Sequence, residues 1–138
     1  MKIPVLSIWQ PWASLIANGL KTIETRTEPA PAELLGKRIA IHASVSDSKR
    51  HVYEWIRSKY PTEMAQVLNG KEFEDLPRGQ VLAFATLIET RKTDWRDWPK
   101  TMSPVEDFWG WVLADIEILE SPIPLNIEAG LTEAELDC

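Results

Sequence analysis

Cysteine is almost missing from this chain: the single one, Cys138, is its last residue. A disulfide framework and a thiolate zinc site are therefore excluded within one chain. Histidine is nearly as scarce, and His42 and His51 fall on what read as different elements, so no metal and no cofactor is expected. No apolar run is long enough to span a bilayer, and the N-terminus lacks the basic-then-apolar layout of a signal peptide. A cytoplasmic protein with no membrane partner is the resulting expectation. Also absent is any block of lysine and arginine. The chain has 21 acidic against 15 basic side chains, a net charge of −6, and acidic residues crowd the stretch from Glu128 to Asp137. Tight non-specific binding to long nucleic acid is disfavoured, because such binding rests on neutralising many phosphates. Recognition of one nucleotide in a pocket is not.

What is present fits one soluble globular domain. The 138 residues suffice for an ordinary core, and 44% hydrophobic with 26% charged residues is the usual balance. Residues 3–8 read as a buried strand and 11–18 as a short helix. A strand over about 22–27 follows, then a loop held extended by Pro29 and Pro31. Arg38–Ala43 reads as a third strand. Ser46 or Asp47 can cap a helix running to about Tyr60, and a shorter helix over 63–68 stops at Asn69-Gly70. Gln80–Thr90 is rich in β-branched and apolar residues and reads as a strand. Trp109–Leu119 reads as another, with Val112, Ala114, Ile116 and Ile118 inward and Pro122 and Pro124 ending it. Strands interrupted by helices without β-α alternation favour an α+β fold, either a small mixed or antiparallel barrel or an open sheet.

The most informative segment is SIWQPWASLIANGLKTIETRT, residues 7–27. Pro11 suits the first helical turn, and Trp12, Leu15, Ile16 and Leu20 recur near helical spacing. Gly19 sits where a left-handed cap would stop the helix. Lys21, Glu24 and Arg26 then load one short extended segment with two cations and a carboxylate. Alternation places Glu24 and Arg26 on one face and Lys21 on the other, so their convergence requires a bend or bulge just after Gly19. Charges on strands are usually solvated. Here the segment follows the helix directly and can border a cleft.

The pattern Gln10-Pro11-Trp12-Ala13, a helix, then Gly19-x-Lys21-x-x-Glu24-x-Arg26 resembles the start of an ASCH domain, in the PUA-like superfamily. Looser agreement comes from Ile41-His42-Ala43-Ser44, Gly79-Gln80-Val81 and Trp109-Gly110-Trp111, so that residues 3–125 are covered. The resemblance implies a small PUA-like β-barrel with helices packed outside it, over residues 1–125, followed by an acidic tail over 126–138. It also implies a ligand cleft between helix and barrel at Lys21, Glu24 and Arg26. The expected ligand is a nucleotide, a modified nucleoside or base, or a short single-stranded RNA. Since Pro122-Ile123-Pro124 leads to an acidic stretch without an aromatic, the closing strand of the barrel is expected to be short, shifted or missing.

Lysine and arginine supply donors for phosphate or carbonyl oxygens, arginine with a rigid fork. Glu24 can orient a cation or accept from a base edge, and Gln10 is a candidate for a further base-edge contact. Of the seven tryptophans, Trp9, Trp109 and Trp111 adjoin the expected cleft and can stack on a base, or else pack the core. Trp12 and Trp55 read as packing residues, and Trp95 and Trp98 as a flap or a loop folded back. His42 and Ser44 share a strand face and form a small polar cluster. The alternative function is a metal-independent amidohydrolase on acylated cytidine-like nucleosides, as in one small ASCH branch that uses a lysine, a threonine and a glutamate. Lys21 matches that lysine, and Glu24 stands where that branch has its threonine. The later glutamate would be Glu72, Glu74 or Glu106. A protein-interaction barrel is the third alternative.

Overall fold

A computed structural model describes residues 1–46, 50–103, 107–127 and 130–136. Among these residues six strands form one mixed sheet: β1 (Lys2–Ile8), β2 (Ile23–Arg26), β3 (Arg38–Ala43), β4 (Gln80–Lys92), β5 (Trp109–Pro124) and β6 (Gly130–Glu135). Their order across the sheet is β2-β5-β4-β3-β1-β6. Only β1 and β3 run parallel; the other neighbours are antiparallel. Among the described residues four α-helices accompany them: α1 (Trp12–Ala17), α2 (Arg50–Lys59), α3 (Pro61–Leu68) and α4 (Trp98–Thr101). The α1 helix buries Ala13 to Ala17 almost completely. Its Ala13, Ile16 and Ala17 join Leu6, Ile39, Leu87 and Leu113 in the main core, while Leu15 joins a second cluster with Tyr53, Ile56 and Met64 from α2 and α3.

The expected α+β architecture is present, but the barrel is not closed. Among the described residues no pairing joins β2 to β6, so the sheet keeps two edges. It is nevertheless strongly curled. Four strand spacings separate β2 from β1, about 19 Å in a flat sheet at about 4.8 Å each. Yet Arg26 of β2 donates from Nη2 to the Ser7 carbonyl of β1 at 3.0 Å, a reach no side chain makes across a flat sheet. The seam that backbone pairing would close is thus bridged by a side chain, because β2 has only four residues and its outer edge faces a cleft.

Two elements depart from the sequence reading. Residues 130–135, which fell in the expected acidic tail, form β6 against β1 in a register from Lys2↔Glu135 to Ser7↔Gly130. A last strand is therefore present without an aromatic, though it leaves the barrel open. β5 continues through Pro122 and ends at Pro124. Beyond Val112 it has no β2 partner, so Pro122 and Pro124 sit on an edge, where a missing N–H donor costs no ladder bond. Asp115 has a positive φ of 51°, and the β4–β5 register shifts repeatedly along the ladder. Strict alternation fails there: Leu113 is buried, and Ile118, expected inside, is exposed.

Gly110 marks where β2, β4 and β5 press together. A Cβ there would lie 2.7 Å from Thr93 Cγ2 and 3.0 Å from Ile23 Cγ2. Gly110→Ala is expected to destabilise the fold by about 1–3 kcal/mol through overpacking. Urea denaturation measures this, and an unchanged midpoint would mean that the strands separate at little cost.

Candidate functional site

The chain turns at the end of α1 on Gly19, whose φ is +74°. The Leu20 and Lys21 amides both donate to the Leu15 carbonyl, which drops Lys21 beneath the helix before β2 begins at Ile23. Lys21 therefore lies outside the alternation of β2. Its side chain reaches Glu24 without a bulge inside the strand.

Lys21 is fully buried. Its ammonium donates to the carbonyls of Ile23 (2.8 Å) and Thr101 (2.5 Å) and pairs with Glu24 Oε1 at 3.4 Å. An ammonium has three donors, and each has an acceptor here. Burial pulls the Lys21 pKa below its usual value, an effect that the neighbouring Glu24 carboxylate opposes. The other carboxylate oxygen of Glu24, Oε2, lies 3.2 Å from Arg26 Nε. That Nε makes no aligned hydrogen bond, so the contact is charge pairing. With Nη2 on Ser7, the Arg26 guanidinium still has donors without protein partners among the described residues. The cluster is thus graded: Lys21 is saturated, Glu24 is shared, and Arg26, a quarter exposed, faces outward.

These three side chains line a cleft of about 350 Å³ together with Trp9, Trp12, Ser103 and Phe108. Trp9 is 45% exposed at the rim. Trp12, expected only to pack, has its indole N–H tied to the Met102 carbonyl at 3.3 Å and presents its ring to the cleft. The α4 segment closes one side: Thr22 N–H donates to Lys100, and Lys21 holds Thr101.

The remaining expected site residues stand apart. Gln10 is buried and does not line the cleft. It donates from Nε2 to Ser14 Oγ and the Pro77 carbonyl and accepts from the Ser14 amide, so it fastens α1 to the chain before β4. Trp111 is in the core, with its indole N–H on the Glu28 carbonyl. Trp109 is half-buried beside the cleft, opposite Arg26 in register. Trp12, Phe108 and Ser103 escaped sequence reasoning. Phe108 and Ser103 lie in a stretch of sequence with no periodicity to read, and Trp12 satisfied a helical pattern that suggested packing alone. Of the later glutamates, Glu106 lies outside the described residues. Glu72 belongs to the capping of the 3-10 turn Phe73–Asp75, and Glu74 lies within that turn, away from the cleft lining. Among the described residues no cluster of histidine, cysteine and carboxylates could hold a metal, and no helix is long and apolar enough to cross a membrane.

The family model for the ASCH domain matches residues 6–122, most of the chain. The chain belongs to the ASCH family. Its fold is similar to the crystal structure of ASCH from Zymomonas mobilis, with 22% identity and a TM-score of 0.57, over 97% of this chain and 87% of that one. Two variants of the Zymomonas mobilis protein also match. A serine-to-alanine variant has 21% identity and a TM-score of 0.52, over 96% and 87% of the two chains. A tyrosine-to-phenylalanine variant has 20% identity and a TM-score of 0.51, over 97% and 89%. At these identities the similarity establishes the fold of this ASCH domain and leaves its ligand to its own residues.

His42 has a structural setting. Its ring pairs with Ser7 Oγ through Nδ1 (2.8 Å) and with the Leu125 carbonyl through Nε2 (2.7 Å). A carbonyl only accepts, so Nε2 carries the proton and the Ser7 hydroxyl donates to Nδ1. Ser44, the expected companion, instead accepts from the Ser46 amide. Burial lowers the His42 pKa from 6.5. Between that lowered value and 6.5 the unfolded chain binds more protons than the ASCH domain, so stability falls as pH drops through this window. Wild type is expected to lose more stability between pH 7 and pH 5 than His42→Gln does, as urea midpoints would show. Equal losses would contradict this.

Proposed function

We propose that this ASCH domain binds the nucleotide unit of a nucleotide, a modified nucleoside or a short single-stranded RNA in the cleft between α1 and β2. Arg26 takes a phosphate or carbonyl oxygen, Trp9 stacks on the base, and Lys21 with Glu24 holds Arg26 in place. The observation that supports this most directly is the division of labour in the triplet. Both cations of the triplet line the cleft, and of the two only Arg26 keeps unspent donors among the described residues; the exposed Trp9 indole shares that lining. Holding the cluster rigid beforehand lowers the ordering cost of binding. Stacking on an aromatic ring is worth about 1–3 kcal/mol per base.

Hydrolysis of an acylated nucleoside through Lys21 has weaker support. Its lowered pKa favours that chemistry, but the three acceptors around its Nζ favour the charged form, and a nucleophile or base needs a free lone pair. Titration of tryptophan fluorescence with the four ribonucleoside 5′-monophosphates and short oligoribonucleotides at low salt tests the binding reading. Saturable quenching that disappears in Trp9→Ala is the expected result. No response to any of them would refute it, and metal-independent turnover of acylated cytidine, lost in Lys21→Arg, would replace it with the hydrolase.

A further inference from the structure

We infer that the cleft continues into a second subsite built by Trp109 and Lys92, so that its ligand is an RNA strand of two or more nucleotides rather than a mononucleotide. This rests on the nucleotide-binding reading above. The β2–β5 register pairs Arg26 with Trp109, and the β4–β5 register pairs Trp109 with Lys92. Residues directly opposite in antiparallel pairs project to the same face. Arg26, Trp109 and Lys92 therefore form one row, cation–aromatic–cation, running from the cleft across three strands. At about 5 Å per pair the row spans about 10 Å, more than a single phosphate or base ring covers.

The far end of the row is built and accessible. Lys92 is exposed, and its Nζ lies 5.1 Å from the centroid of the Trp109 ring. It donates to the Asp107 carbonyl at 2.9 Å, which fixes its position and leaves two donors for an incoming anion. Trp109 is half-buried, so part of its ring stays open beside the Lys92 ammonium. Phe108, its chain neighbour, and Arg26, its partner in register, both line the cleft, so the row starts at the cleft wall. Arg91 does not join the row. It pairs with Gly110 on the opposite face, and its guanidinium is spent in a two-pronged contact with Asp97. The row therefore carries two separated cations, and the one carboxylate beside it, Glu24, is shared between Arg26 and Lys21. Two phosphates flanking a stacked base match that spacing, whereas a lone nucleoside monophosphate would leave Lys92 unused.

The test compares uridine 5′-monophosphate with oligouridylates of two, three and four residues by fluorescence titration, in wild type, Lys92→Ala and Trp109→Phe, each first checked for folding by circular dichroism. Wild-type affinity should rise at least tenfold from one residue to three. Lys92→Ala should remove most of that gain while leaving monophosphate affinity unchanged, and Trp109→Phe should keep much of it. Affinity independent of length, or a length gain that survives Lys92→Ala, overturns the second subsite and leaves the single-nucleotide cleft standing. Absence of binding at every length overturns both.

Discussion

Lys21→Met is expected to destabilise the fold by about 3–5 kcal/mol, the range for removing one partner of a buried ion pair. The exchange keeps the length of the side chain and its apolar stem. What it removes is the charge opposite Glu24 and the donors that satisfy the carbonyls of Ile23 and Thr101. For a domain of this size such a loss lowers the melting temperature by roughly 10–20 °C. Adding Glu24→Gln should restore part of it, since the carboxylate is no longer left with one cation. Thermal unfolding by circular dichroism measures both. A single variant melting within a few degrees of wild type would show that the ammonium is not the pin between α4 and β2 described above.

Arg26→Ala should act on binding rather than on the core. The guanidinium is a quarter exposed, and Glu24 keeps Lys21 as its partner when Arg26 is lost. A hydrogen bond to a charged group contributes about 1.5–3 kcal/mol, so nucleotide affinity should fall roughly 10- to 150-fold. Arg26→Lys should recover only a fraction, because an ammonium cannot hold the Ser7 carbonyl, face Glu24 and reach a ligand with one fork. Isothermal titration with a short oligoribonucleotide distinguishes these outcomes. Equal affinity in wild type and Arg26→Ala would remove Arg26 from the site.

The triplet itself was legible in the sequence, because a lysine, a glutamate and an arginine packed into one short segment after a glycine-capped helix is hard to explain as a core strand. How it converges was only half legible. Alternation set Lys21 against Glu24, and the resolution lies in where β2 starts, which depends on its pairing with Val112 to Trp109. Gln10 was misleading for a related reason. A polar residue at a helix start reads the same whether it meets a ligand or, as here, the chain at Pro77. β6 was hidden because Gly130–Glu135 has acidic, weakly patterned residues. Its strand state comes from pairing along the free edge of β1, from Lys2↔Glu135 to Ser7↔Gly130, which is not local. The open seam was hidden too, since closure depends on the length of β2 and on what occupies its outer edge.

The most direct test of the cleft is a map of backbone and indole NMR shifts as a uridine trinucleotide is titrated into the labelled domain. The Trp9 indole, Arg26, Ser103 and Phe108 should shift together with one saturating profile, while Gln10 and the Trp111 indole, buried away from the cleft, stay in place. Shifts confined to another surface, or none at all, would contradict a nucleotide site between α1 and β2.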